Sequence, residues 1–296
     1  MSAASSPARL RGLTLIALAA VTWGTTGSVS TLLVNQAAAT PLLVGAARML
    51  VAAVLLLAAA RTLAGTVRPA PGEAWRCLAL GACMAAFQVT YFTAVARAGI
   101  AVTALVAICS APLIIALLAA VLLGERPTAR LVQALVLGVV GTALLVAAPI
   151  AGGTPRRLDG LLLALGAAGA YALYVVIAKA AVARTAPLPL AALTFTVAAL
   201  FMAPVFAMPG SAQQLIVGWP GFLYLGAVTT AAAYALYTAG LRSVSASAAG
   251  VASLLEPLTA TLLGVLFFGE RLGAAGWLGA ALLLAALVLL TAAERR

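Results

Sequence analysis

The sequence predicts an all-α polytopic membrane protein: ten transmembrane helices arranged as two five-helix repeats of opposite topology. Three observations lead there. Hydrophobic residues make up 65% of the 296 and charged residues 8%, with a mean hydropathy of +1.18, whereas an ordinary soluble domain carries roughly 25% charged residues. The apolar residues fall into ten continuous runs, and the chain repeats itself with five runs in each copy. A soluble fold of this length cannot bury so much apolar side chain, because surface area stays too large relative to volume.

The runs cover 12–34, 42–64, 74–95, 98–123, 128–149, 158–179, 188–208, 214–239, 243–268 and 273–293. An α-helix needs about 20 apolar residues to cross the hydrocarbon core. Membrane barrel strands instead alternate over about ten residues, so a barrel is excluded. The first run extends past the roughly 7–15 residues of a signal peptide, contains Trp23 and leads into further runs, so it is read as span one. Thr40-Pro41 has the form of an N-cap followed by proline at the first helical position, opening span two. Gly65 to Gly72, with Arg68, Pro69 and Pro71, makes an exposed turn before span three. Pro149 to Asp159 links the halves, so that 10–149 form the first repeat, 150–157 the inter-repeat loop and 158–294 the second repeat. Pro187 and Pro189 open span seven, and Pro209-Gly210 closes it. Trp75 and Trp219, near span starts, suit interface anchoring. No loop is long enough to hold a folded domain, which removes receptor and multidomain-enzyme readings.

Seventeen Lys and Arg against six Asp and Glu give a net charge of +11. The cations sit singly or in pairs between runs, without the basic stripe that nucleic-acid binding requires. They read as orientation charge on cytoplasmic loops. With the N-terminus inside, twelve fall on the inner side: Arg9, Arg11, Arg61, Arg68, Arg76, Arg126, Arg130, Lys179, Arg184, Arg242, Arg295 and Arg296. Four fall outside, namely Arg97, Arg156, Arg157 and Arg271, and Arg48 lies within span two. Both termini are therefore expected in the cytoplasm. The chain has no histidine, hence neither the commonest neutral-pH acid–base group nor the commonest metal ligand. Cys77, Cys83 and Cys109 read as small buried hydrophobes without metal-binding spacing. No catalytic residue, metal site or cofactor is expected.

Residues 97–148 align with 242–293 at a constant offset of 145, with 18 identities in 52 positions. Arg97 meets Arg242, Pro112 meets Pro257, and Gly124-Glu125-Arg126 meets Gly269-Glu270-Arg271. A looser match pairs Leu10-Arg11-Gly12-Leu13 with Leu158-Asp159-Gly160-Leu161. Five spans is an odd number, so the second copy enters the membrane from the opposite side. Such inverted repeats are common in secondary transporters.

The interior is nearly free of ionisable groups, and Glu256 is the exception. It stands 14 residues before Glu270, which at about 1.5 Å per residue puts it near mid-membrane. A charge there costs several kcal/mol unless it is paired, wet or neutralised. Glu256 has two readings: a proton-coupling or substrate-amine site, or a hydrogen-bonded carboxyl capping backbone groups freed by Pro257. Its counterpart in the first repeat is Ala111. Pro112 and Pro257 each delete a helix hydrogen bond and are expected to bend spans four and nine. Arg48 either snorkels outward or pairs with an anionic group in a cavity. Lys179 is expected to reach the inner surface. Deep aromatic residues cluster in corresponding spans: Trp23 in span one with Tyr171 and Tyr174 in span six, and Phe87, Gln88 and Tyr91 in span three with Tyr234 and Tyr237 in span eight. Deep tyrosines need hydrogen-bond partners. Together with Ser253 and Glu256 they form a candidate substrate cavity for a small amphipathic solute, with interhelical packing as the alternative role.

Trp23-Gly24, Pro112 with Gly124-Glu125-Arg126, and Glu256-Pro257 with Gly269-Glu270-Arg271 follow an order and duplication that resemble the EamA-type drug/metabolite transporter family. The resemblance runs over residues 10–294 and is greatest toward the YddG-like amino-acid exporters. It implies ten helices with both termini inside and a central cavity built from spans one, three, four, six, eight and nine. It also implies export by alternating access in a bacterial inner membrane, of aromatic and other neutral amino acids or of another metabolite. The paired Glu-Arg motifs lie at span ends and read as structural. No G-x-x-x-x-G-K-[ST] loop is present, so the driving force is expected to be an ion gradient, with Glu256 available to protons, or the solute gradient itself. The expected partners are a small-molecule solute and the lipid bilayer. A membrane-embedded enzyme would need clustered polar groups near one interface, and a flippase would need a phosphate site such as Arg48 or Lys179.

Overall fold

Alanine and leucine dominate the runs and carry little helix-forming penalty. In hydrocarbon, every backbone polar group must be satisfied within its own segment, which leaves the helix as the form these runs take. The computed structural model describes residues 6–147, 158–268 and 273–292. They form α1 (Ser6–Gly24), α2 (Thr26–Ala37), α3 (Pro41–Leu63), α4 (Ala74–Ala98), α5 (Ile100–Leu123), α6 (Ala129–Ala147) and α7 (Leu158–Ala181). These are followed by α8 (Pro187–Met202), α9 (Ser211–Gly226), α10 (Ala233–Leu241), α11 (Ala246–Ser253), α12 (Leu255–Phe268) and α13 (Ala274–Ala292). Among the described residues, nine continuous or lightly broken helices are long and apolar enough to cross a membrane, and the shorter apolar helix Ala129–Leu145 makes a tenth. Exposed leucines, valines and phenylalanines, such as Leu117, Val121, Leu200 and Phe267, cover the outside and form the lipid-facing belt. Trp75 and Trp219 are exposed among them.

Among the described residues, three spans are interrupted before their last turns. Span one breaks at Thr25 between α1 and α2, where the Thr25 hydroxyl meets Tyr224 Oη at 3.0 Å. Span eight passes through a π-helical segment, Ala227–Ala232, between α9 and α10. Span nine breaks at Leu254, between α11 and α12. Pro257 explains the last break. It has no N–H to give the carbonyl of Ser253, and its ring crowds that carbonyl. Pro112, in contrast, sits inside α5, which runs through it without interruption. Span two begins as the sequence indicates: Thr40 is extended, its Oγ1 accepts from Leu43 N at 3.3 Å, and Pro41 follows.

The helices pack with an internal two-fold. Span three packs against span six as span eight packs against span one, and spans two and seven and spans five and ten pair across the axis. Gly160 lies against Ala98, and its counterpart Gly12 lies against Ser243, the counterpart of Ala98. At the crossing of spans five and ten, a Cβ on Gly141 would come within 2.7 Å of the Gly279 carbonyl oxygen, so the backbones touch there. The duplicated, inverted fold is thus present in contacts as well as in sequence. The inter-repeat loop, Arg156, Arg157, Glu270 and Arg271 lie outside the described residues.

Candidate functional site

Spans one, two, three, four, six, eight and nine surround a cavity of about 600 Å³. Its wall contains Trp23, Phe87, Gln88, Tyr91, Tyr171, Tyr234, Ser253 and Glu256, together with Pro112 and Pro257. It also contains Arg48. Asn35, Pro41 and Val95 line it as well, so it runs from mid-bundle toward the end that carries residues 38–40 and Gly99.

The opposite end is fastened by polar contacts. Glu125 accepts hydrogen bonds from Ala246 N (2.7 Å), Ser247 N (3.1 Å) and Ser247 Oγ (2.7 Å), and so caps the N-terminus of α11. Lys179 Nζ donates to the Leu241 carbonyl at 2.7 Å, where the C-terminus of α10 favours a cation. Lys179, half-buried at this end of the bundle, is therefore tied to a helix end. Buried Glu73 holds Arg76 at 2.6 Å and Arg184 at 3.2 Å, and Ala70 N donates to Thr185 Oγ1 at 3.2 Å. The motif residue Glu125 thus acts as a brace between the halves, away from the cavity.

The aromatic side chains form two connected groups. Phe87 stacks obliquely on Tyr91 (5.6 Å between ring centroids) and on Tyr171 (5.7 Å), making one wall. Trp23 contacts Tyr234 at 5.0 Å and Tyr237 at 5.3 Å, making the floor. Tyr174 joins the groups through Tyr171 (6.0 Å) and Tyr234 (5.8 Å). Tyr174 and Tyr237 do not line the cavity. They are buried behind Tyr171 and Tyr234 and support them. The Tyr237 hydroxyl faces those of Tyr171 and Ser253 without a well-formed hydrogen bond to either.

Glu256 is half-buried in the cavity wall. A Cβ on Gly24 would come within 2.9 Å of the Glu256 carbonyl oxygen and 2.5 Å of Thr259 Cβ. The glycine of Trp23-Gly24 therefore lets α1 lie directly on α12 beside this carboxyl. Thr259, three residues after Glu256, donates to Leu255 O at 2.9 Å, and Ser253 Oγ donates to Ala249 O at 2.9 Å.

Arg48 does not snorkel. It is buried, and its Nε donates to Thr230 Oγ1 at 2.9 Å. The Thr229 and Thr230 hydroxyls both donate to the Leu225 carbonyl at 2.8 Å. The π-helical segment brings these bonds together, as such segments often do at functional sites. The lone cation seven residues into span two is visible in the sequence. Its inward direction and its threonine partner depend on how spans two and eight are rotated. Among the described residues, no group of three or more His, Cys, Asp or Glu side chains could hold a metal ion.

Comparisons with known proteins agree with this architecture. The EamA-like transporter family matches residues 10–147 and 158–292. The uncharacterized transporter YwfM of Bacillus subtilis (strain 168) is 38% identical over 294 residues, covering 95% of this chain and 94% of that protein. Protein PecM of Dickeya dadantii (strain 3937) is 31% identical over 277 residues, covering 90% and 88%. A crystal structure with 22% identity superposes over 100% of both chains with a TM-score of 0.77, and it shows the same fold. The chain belongs to the EamA-like transporter family and is a secondary transporter of small metabolites.

Proposed function

We propose that the protein exports small amphipathic metabolites, aromatic and other neutral amino acids as YddG-like exporters do, by alternating access across the bacterial inner membrane with both termini cytoplasmic. The cavity carries this reading. Its volume of about 600 Å³ lies within the roughly 300–1,000 Å³ of small-molecule sites. Its wall combines aromatic faces, hydroxyls and an amide with one cation and one carboxylate. Aromatic walls accept an apolar side chain, while the polar groups fix the orientation of a polar head. The charge bias of the loops puts the fastened end, with Glu125 and Lys179, on the cytoplasmic side. The conformation described is then closed to the cytoplasm, with its cavity directed outward. Glu256 is the residue that would couple solute movement to protons, since it is the carboxylate in the cavity wall.

The test is flux in proteoliposomes. Protein-containing vesicles loaded with mixed amino acids are assayed for counterflow of labelled phenylalanine, threonine and methionine, first without and then with a pH gradient. Saturable flux above empty liposomes is expected, with accumulation that follows the gradient in the wild type and is lost in Glu256→Gln. Absence of flux from folded protein rejects amino acids and turns the search to sugars, nucleobases and lipid head groups. Single cysteines placed at Arg126 and Arg271 are expected to label from opposite sides of the membrane. Labelling from one side rejects the inverted topology.

A further inference from the structure

We infer that Arg48 is the carboxylate-binding residue of the cavity, assisted by Gln88, and that Glu256 receives the substrate's ammonium group, so that the site selects α-amino acid zwitterions over amines and over carboxylates alone. This rests on the amino-acid reading above and narrows it.

A guanidinium carries five N–H donors in a fixed fork. Only Nε–H has a protein partner among the described residues, the Thr230 hydroxyl. Arg48 itself lines the cavity. That fork suits a carboxylate in a way that a lysine ammonium does not. Thr230 holds it in place. The same hydroxyl donates to Leu225 O and accepts from Arg48 Nε, so both partners are oriented before any solute arrives. Pre-organised donors lose less freedom on binding.

A second donor points the same way. Gln88 is 1% exposed, lines the cavity, and its Nε2 has no protein partner. It packs on the face of α3 one turn before Arg48, its Cβ 3.5 Å from where a Cβ on Gly45 would stand. A buried donor without a partner is costly, and a bound carboxylate would supply an acceptor.

The charges are arranged to complement a zwitterion. Arg48 and Glu256 share the cavity and feel each other's field, yet no ion pair joins them. Direct contact would neutralise both and leave nothing for a solute. Held apart, they present one positive and one negative group to opposite ends of a polar head, and the aromatic wall of Phe87, Tyr91 and Tyr171 is left for its side chain. The second repeat's share of the arrangement is a departure from symmetry. The counterparts of the π-helical segment, 82–87 at the repeat offset, lie within regular α4, and the counterpart of Glu256 is Ala111.

The test measures binding of three probes to the purified full-length chain in nanodiscs: phenylalanine, phenethylamine, which lacks the carboxylate, and 3-phenylpropionate, which lacks the amine. Wild type is expected to prefer phenylalanine to either analogue by about tenfold or more, the loss that follows from one charge-assisted contact. Thr230→Val keeps the charge but removes the tether, and Arg48→Lys keeps the charge but removes the fork. Both are expected to weaken phenylalanine severalfold while leaving phenethylamine unchanged, so that the preference narrows. Thermal unfolding of each variant checks that it is folded, and the Thr230 variant carries the test if the Arg48 variant is not. Equal binding of phenylalanine and phenethylamine by wild type overturns this inference and leaves the amino-acid reading standing. An unchanged preference in both variants does the same. Failure of wild type to bind phenylalanine while other amino acids also fail in counterflow overturns both.

Discussion

Span four and span nine are counterparts, each with a proline at the same repeat position, yet only span nine is broken. Span four runs as one helix through Pro112. Span nine separates into α11 and α12 three residues before Pro257. Their neighbours differ. Gly250 of α11 lies against Pro112 itself, with a Cβ there 3.5 Å from Pro112 Cα, and the position equivalent to Gly250 in the first repeat is Leu105. Glu125 anchors the start of α11 through three hydrogen bonds. A proline removes one hydrogen bond in either span, but the helix parts where flanking contacts hold the two pieces separately. The polar group Glu256 follows that break, and the cavity is therefore asymmetric within a symmetric frame.

Six substitutions probe this asymmetry, in four experiments. The largest effect on stability is expected from Glu125→Ala, which removes three hydrogen bonds at the start of α11 and leaves only the Ser245 cap, whose Oγ accepts from Ala248 N at 3.2 Å. A loss of about 2–4 kcal/mol should appear in thermal unfolding, with faster labelling of a cysteine at Ser247. An unchanged unfolding curve would mean that the anchor does not hold α11. Gly24→Ala pushes α1 off α12 beside Glu256, and overpacking of this kind costs about 1–3 kcal/mol. The same change at Gly27, where no neighbour lies within 4 Å, should cost little on a melting curve run in parallel. Thr142 is fully buried with an unpartnered hydroxyl, and its counterpart is Leu287. Thr142→Val, which imports the apolar character of the second repeat, should raise stability by roughly 1 kcal/mol. A lower melting temperature would show that the hydroxyl has a partner in the membrane. Pro112→Ala should change transport least, since α5 is already continuous, whereas Pro257→Ala should impair flux severalfold by closing the break. Equal flux defects from the two would reject the asymmetry.

Much of the frame was legible in residues. The Thr40-Pro41 cap, the ten spans, the repeat and the isolated Glu256 each follow from local chemistry or periodicity, which do not need the fold. The interior of the site was less legible. Tyr171 and Tyr174, three residues apart on one helix, read alike in sequence, but one lines the cavity and the other lies behind it. For Arg48 local chemistry favoured snorkelling outward over turning to the cavity, the opposite of what packing imposes, and nothing in Ala227–Ala232 announces a π-helical turn.

Composition and periodicity suffice for the class of protein, the number of spans and the duplication, because a continuously apolar run satisfies its backbone in hydrocarbon as a helix and because a repeat of five spans must invert. Which side chains meet is a matter of packing. These helices are apolar on nearly every face, so composition does not say how each is rotated about its axis. Close packing of small residues such as Gly24, Gly141 and Gly240 against neighbouring backbones, together with polar contacts between helices, accompanies the inward turn of Arg48 toward Thr230 and the cavity it shares with Glu256.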